Sequence, residues 1–172
     1  MGGGMMKRRK TMEDNMKTGV LNDALVFAYP DDFEEMSKEE ISSMANYGEA
    51  PQFVIRNAQR HMVVSVGYKV INGFSAMMLN TADMAKKTQT EISKVMKDSG
   101  YELICNVKEN IADKTAEGFR YRYQVQDVDM SSESLILKEG KVVYYIQCYY
   151  RTAMSEDSLP VFDQMLKNSS WK

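Results

Sequence analysis

One histidine, two cysteines and one run of alternating carboxylates are the residues of this 172-residue chain whose types and spacing could do chemistry. A histidine base, a Cys–His dyad or a histidine-bound metal would rest on His61 alone. His61 follows Arg60 at the start of an apolar run, where a surface or strand-edge place is expected. Cys105 and Cys148 belong to no Cys-x-x-Cys pair, and each falls in an apolar strand pattern, so they read as buried free thiols. A disulfide between neighbouring strands would require a secreted chain. Asp127-x-Asp129-x-Ser131-x-Glu133 has the opening spacing of an EF-hand loop. It lacks the glycine at the sixth position, where Ser132 stands, and the glutamate at the twelfth, where Lys138 stands. A solvated polar turn is the reading that remains. No Gly-x-Ser-x-Gly, phosphate-binding loop or dinucleotide-binding glycine pattern occurs. The sequence thus offers no catalytic residue, no cofactor and no metal site, and the expectation is a protein that is not an enzyme.

Binding chemistry is read the same way. Arg120 and Arg122 alternate with Tyr121 and Tyr123, but in a strand the cations and aromatics point to opposite faces, whereas a single-strand nucleic-acid platform needs them together. A net charge of −2 supplies no attracting field either, so no nucleic acid is expected. Fifteen methionines are a heavy load. Filling core gaps is the favoured use, and adaptable binding surfaces are the other. One stretch, Gly73-Phe74-Ser75-Ala76-Met77-Met78-Leu79, is apolar yet reads as a connection without helix or strand periodicity. The favoured reading tucks Phe74, Met77, Met78 and Leu79 under the following helix as a satellite core. The alternative makes those four residues an exposed contact surface for a protein partner.

The elements around these residues follow from pattern. Phe119 to Gln126 alternates strictly, with Phe119, Tyr121, Tyr123 and Val125 on one face, the mark of a half-buried strand. A polar break follows, then Leu135-Ile136-Leu137, a Lys-Glu-Gly-Lys turn and a strand at 142–150. Gly140 supplies the left-handed residue that the hairpin needs. Upstream, Leu25–Tyr29 is a strand stopped by Pro30. Ser37-Lys38-Glu39-Glu40 has capping-box spacing and opens a short helix with Ile41, Met44 and Ala45 on its apolar side, ended by Gly48. Strands are expected at 53–55 and 61–71, with a turn at Asn72-Gly73. A long helix at 81–99, capped by Asn80 or Thr81 and ended by Gly100, carries Ala85, Thr88, Ile92, Val95, Met96 and Ser99 in one stripe. A strand at 101–110 and a turn at 112–118 precede the central hairpins. Ser155 or Ser158 opens a final helix with Pro160 in its first turn and Phe162, Met165, Leu166 and Ser169 inward. Residues 1–22 hold a triple glycine and a basic tetrad with little to bury, and are expected to form a flexible arm before a single domain at 23–172. The fold class is α+β: an antiparallel sheet of about six or seven strands, ending in a C-terminal meander, with helices on both faces.

No run approaches the roughly 18 apolar residues of a membrane span, so no membrane insertion is expected. No complete signal peptide is visible, which places the chain in the cytoplasm unless a leader precedes it. The order of elements resembles the family that includes the PsbP subunit of photosystem, the Mog-type Ran-binding proteins and DcrB-like bacterial proteins. The resemblance rests on Phe-Ala-Tyr-Pro closing the first strand, the helix before Tyr-Glu-Leu-Ile, Phe-Arg-Tyr-Arg-Tyr, Gly-Lys-Val-Val-Tyr-Tyr-Ile-Gln-Cys and Phe-Asp-Gln-Met-Leu-Lys-Asn-Ser. It covers roughly residues 24–170. It implies a soluble, non-enzymatic binding, assembly or chaperone-like module acting on an unidentified protein partner, monomeric or weakly dimeric. The alternative is a small-molecule-binding protein or small enzyme with a pocket between helix and sheet, using buried hydroxyls such as those of Tyr121, Tyr123 and Tyr144 as polar handles.

Overall fold

The structure is a computed structural model that describes residues 15–44 and 50–172. Alternating apolar residues in β4 (Phe53–Asn57), β5 (Met62–Val70), β6 (Glu102–Ile111), β7 (Lys114–Val125), β8 (Val128–Glu139) and β9 (Val142–Arg151) build a seven-stranded sheet, with the two-residue β3 (Glu34–Glu35) at one edge. Its order is β3-β4-β5-β9-β8-β7-β6, and every pairing is antiparallel. The expected meander is β6 to β9. A second, three-stranded sheet joins β1 (Met16–Leu21), β2 (Leu25–Pro30) and β10 (Ser170–Trp171).

The two faces of the large sheet are covered differently. The small sheet and α4 (Ser155–Asn168) close one face, where Phe27, Leu135, Ile146, Phe162 and Met165 share one core. Helix α3 (Thr81–Val95) closes the other, setting Ile92 and Met96 on Phe119, Tyr121 and Tyr123, and Ala85 on Ile136 and Val143. Asn80 caps α3 by accepting from the Ala82 and Asp83 backbone N–H groups, and Gly100 ends the 3₁₀ turn after it with φ 71°. Among the described residues no helix is long and apolar enough to cross a membrane.

Several expectations are corrected. The arm expected over 1–22 contains β1, which pairs with β2 from Met16↔Pro30 to Leu21↔Leu25. Few apolar side chains are needed there, because the hairpin satisfies the backbone and Gly19 lets the Phe53 ring lie where a Cβ would come within 2.5 Å. Residues 1–14 lie outside the described residues, as do Ala45 and Gly48 of the expected first helix. That helix, α1 (Lys38–Ser43), does form on the Ser37–Glu40 capping box, with Ile41 buried. The polar break after 126 is strand: Gln126 and Asp127, at φ 48° and 64°, make a two-residue turn, and β8 then runs through Ser131 to Ser134, all buried. The turn at 112–118 shrinks to Ala112 and Asp113, again both left-handed at φ 49° and 65°. Pro160 sits in the second turn of α4, since the helix already starts at Ser155. Trp171 belongs to β10, and its Nε1–H donates to the Ala112 carbonyl at 2.7 Å.

Candidate functional site

The stretch from Phe74 to Leu79 is helical. In α2 (Gly73–Met78) the Asn72 side chain accepts from the Ser75 backbone N–H at 2.7 Å and closes the first turn. At the other end Lys138 Nζ donates to the Ala76 and Leu79 carbonyls, both at 2.6 Å. A six-residue helix is too short for the window in which helical periodicity is legible, so the sequence read as a connection. The satellite-core reading is overturned as well. Phe74 is 74% exposed, Met77 82%, Met78 67% and Leu79 38%. Phe74, Met77 and Met78 fall at i, i+3, i+4 and share one face, which points to solvent. The small residues Gly73, Ser75 and Ala76 are the half-buried ones. Amphipathic helices normally lie the other way round; α2 turns its apolar side out. Exposed Lys141 stands beside this patch, its Cε 3.5 Å from where a Gly73 Cβ would lie.

A second feature escaped the sequence reading. Under α4, Glu109, Arg120, Glu133, Leu159, Phe162 and Asp163 line a pocket of about 310 Å³. Arg120 Nε donates to Glu133 Oε1 at 2.5 Å, and its terminal nitrogen lies 3.7 Å from Glu109 Oε1. Glu133 is buried. Burial raises its pKa above the usual carboxylate range against the opposing pull of Arg120, and burial likewise raises Glu109. In the adjoining strand β9, the Cys148 pKa is raised by complete burial and that of Tyr150 is pushed up to about 12, also chiefly by burial. At neutral pH Cys148 is therefore a protonated, inert thiol. The signal that could have found Glu133 is register: once 126–127 is a two-residue turn, Arg120 stands opposite Glu133 and Glu133 opposite Cys148.

A third feature lies at the start of α4. Asp32, Arg60, Met62, Met154, Glu156 and Asp157 are among the residues around a pocket of about 470 Å³ with an apolar floor and an acidic rim. Arg60 Nε donates to Asp32 Oδ2 at 3.0 Å.

The remaining sequence candidates are not brought together. His61 is exposed in the turn before β5, at φ 53°. Cys105 and Cys148 are free. They share one row of the sheet but stand three strand spacings apart, about 14 Å, beyond disulfide reach. Among the described residues no His, Cys, Asp and Glu cluster is set to hold a metal. Tyr121 and Tyr123 stack beside Phe119 beneath α3, and Tyr144 packs against Tyr68 and Trp171. None of the three lines either pocket, so they are core residues.

Layers, order and register together define a PsbP-like α+β fold. Among solved structures the chain is similar to cyanobacterial PsbP (CyanoP) from Synechocystis sp. PCC 6803, at a TM-score of 0.64 and 15% identity over 92% of this chain and 93% of that one. It is also similar to LpqN, involved in cell envelope biogenesis of Mycobacterium tuberculosis, at 0.56 and 9% over 94% of each chain. A protein from Bacteroides thetaiotaomicron matches at 0.55 and 13%, over 91% of this chain and 48% of that one. No family model matches the chain, and no curated protein sequence does. Identities this low establish the fold and leave the role to the residues.

Proposed function

We propose that the chain is a protein-binding or assembly module with no catalysis of its own, and that α2 is its contact surface. The observation behind this reading is the outward apolar face of α2, fastened to the sheet through its backbone by Lys138. Phe and Met are well suited to such a surface, the one rigid and the other adaptable. A comparison of the full chain with a Phe74→Asp/Met77→Asp variant as bait in extract of the native host is the test. The proposal expects proteins retained by the first and lost by the second. Identical retention by both would remove α2 from the binding surface.

The pocket under α4 favours a second reading, a small-molecule-binding protein or small enzyme with its site between helix and sheet. Glu133, desolvated and held beside Arg120, is the polar handle there. A thermal-shift screen against metabolites separates the two readings, since a specific ligand raises the midpoint by mass action. A ligand whose shift disappears in Glu133→Gln supports the pocket; silence across a broad library supports α2.

A further inference from the structure

Resting on the reading of α2 as a contact surface, we infer that its partner is a second copy of this chain, which receives α2 in the acidic pocket at the start of α4. The two surfaces complement each other in shape and charge. One is a projecting apolar knob, Phe74 and Met77, with exposed Lys141 beside it. Lys141 keeps close, its Cε 3.5 Å from where a Gly73 Cβ would stand. The other is a recess floored by Met62, Met154 and Val161 and rimmed by Glu156 and Asp157, while Arg60 and Asp32 on the same rim are paired to each other. Its volume of about 470 Å³ accommodates an aromatic side chain with room for a thioether beside it.

Topology decides that the contact is between molecules. Helix α2 follows the end of β5, where the Ile71 N–H donates to the Lys141 carbonyl just before β9, at 2.7 Å. The recess sits at the start of β5, where Met62 lies, and past the end of β9, where Met154 lies. Nine residues of β5 separate them, roughly 30 Å at about 3.3 Å per residue. No α2 can reach the recess of its own chain. A knob at one end and a socket at the other make a heterologous contact, which adds copies head to tail instead of closing a dimer. The knob is smaller than the roughly 800 Å² per partner of a standard stable interface, so the contact is weak and populated at concentrations on the order of 100 µM and above. The lysine and carboxylate part of the attraction weakens as salt shortens the screening length.

Sedimentation velocity of the full chain across a concentration series tests the inference. Weight-average mass should climb past twice the monomer's as concentration rises, less steeply in high salt. Phe74→Asp, which removes the knob, and Asp157→Lys, which reverses the rim, should each stay monomeric. Mixed in equal amounts, these two variants retain one intact knob and one intact recess between them, and should form dimers and nothing larger. Asp157→Asn, a change without charge reversal at the helix start, should weaken association several-fold with the fold intact. A wild-type chain that stays monomeric throughout overturns the inference, and so does a mixture that yields no dimer. If the monomeric wild type instead sediments with phosphatidylserine-containing vesicles, or retains extract proteins through α2, the self-contact is refuted while α2 stands as a binding surface. Association undiminished by Phe74→Asp refutes both.

Discussion

Helix α4 sets Phe162, Met165 and Leu166 at i, i+3, i+4, and α2 sets Phe74, Met77 and Met78 at the same spacing. The first three are at most 1% exposed and the second three at least 67%. Local sequence therefore fixes which side chains share a face, and the surroundings decide whether that face is covered. Helix α4 lies across the sheet with the three-stranded sheet beside it, and the length of its fourteen residues carries both buried and solvated faces. The six residues of α2 are held by a cap and by Lys138 on the backbone, which leaves Phe74, Met77 and Met78 exposed. Near-identical apolar triplets are buried in one place and exposed in the other.

The largest effects should fall on the α4 side. Phe162→Ala is expected to cost about 3–5 kcal/mol, the range for truncating a buried aromatic, and deletion of 156–172 should leave aggregated protein. Urea denaturation of the point variant checks the first. A midpoint near that of the parent would mean that α4 covers no core and would erase the contrast with α2.

Next comes the ion pair beneath α4. Glu133→Ala leaves Arg120 without its closest partner, and about 2–4 kcal/mol should be lost, the upper end reduced because Arg120 is part exposed and Glu109 is near. Its pH dependence has a definite sign. The folded pKa of Glu133 is raised above its unfolded value, so the folded state binds the proton more tightly. Its ionisation opposes folding above the folded pKa, and that opposition disappears as pH falls towards the ordinary carboxylate range near ~4.3. Glu109 acts in the same direction. The denaturation midpoint should therefore rise on mild acidification from neutrality, and Glu133→Gln should flatten that rise. A midpoint that falls steadily from pH 7 downward would contradict the assignment.

A smaller effect sharpens the picture of how the chain end after α4 is held. Trp171 is anchored on the carbonyl of Ala112, a residue in the left-handed region. Ala112→Gly removes a strain of about 1 kcal/mol and should raise the midpoint accordingly, as followed by thermal unfolding. A loss of stability there would show that the Ala112 methyl group matters more than the backbone.

The contrast also explains what was legible in the sequence. Phe119 to Val125, the capping box at Ser37 and the inward residues of α4 declared themselves, because each spans enough residues to show its period or its end; of the α3 stripe Ala85, Ile92 and Met96 are buried, whereas Val95 is 53% exposed. The turns at Ala112-Asp113 and Gln126-Asp127 were drawn too long, as 112–118 and as a polar break after 126, since their left-handed residues are not glycines. With that second turn so extended, Ser131 to Ser134 passed for a loop, and Glu133 could not be placed opposite Arg120. The hairpin of β1 was hidden by the poverty of apolar side chains in Met16 to Leu21, although backbone pairing holds it. The four residues of the α2 surface were identified as a group. Their orientation was not, because burial depends on what packs beside a helix and no local pattern records that.

The most direct test of the central claim, that α2 serves contact and not the core, is the stability of Phe74→Ala measured by urea denaturation of the full chain. The account predicts a change of less than about 0.5 kcal/mol, as for an exposed position, with association weakened in the same preparation. A loss of about 3–5 kcal/mol, matching Phe162→Ala, would place Phe74 in a core and contradict it.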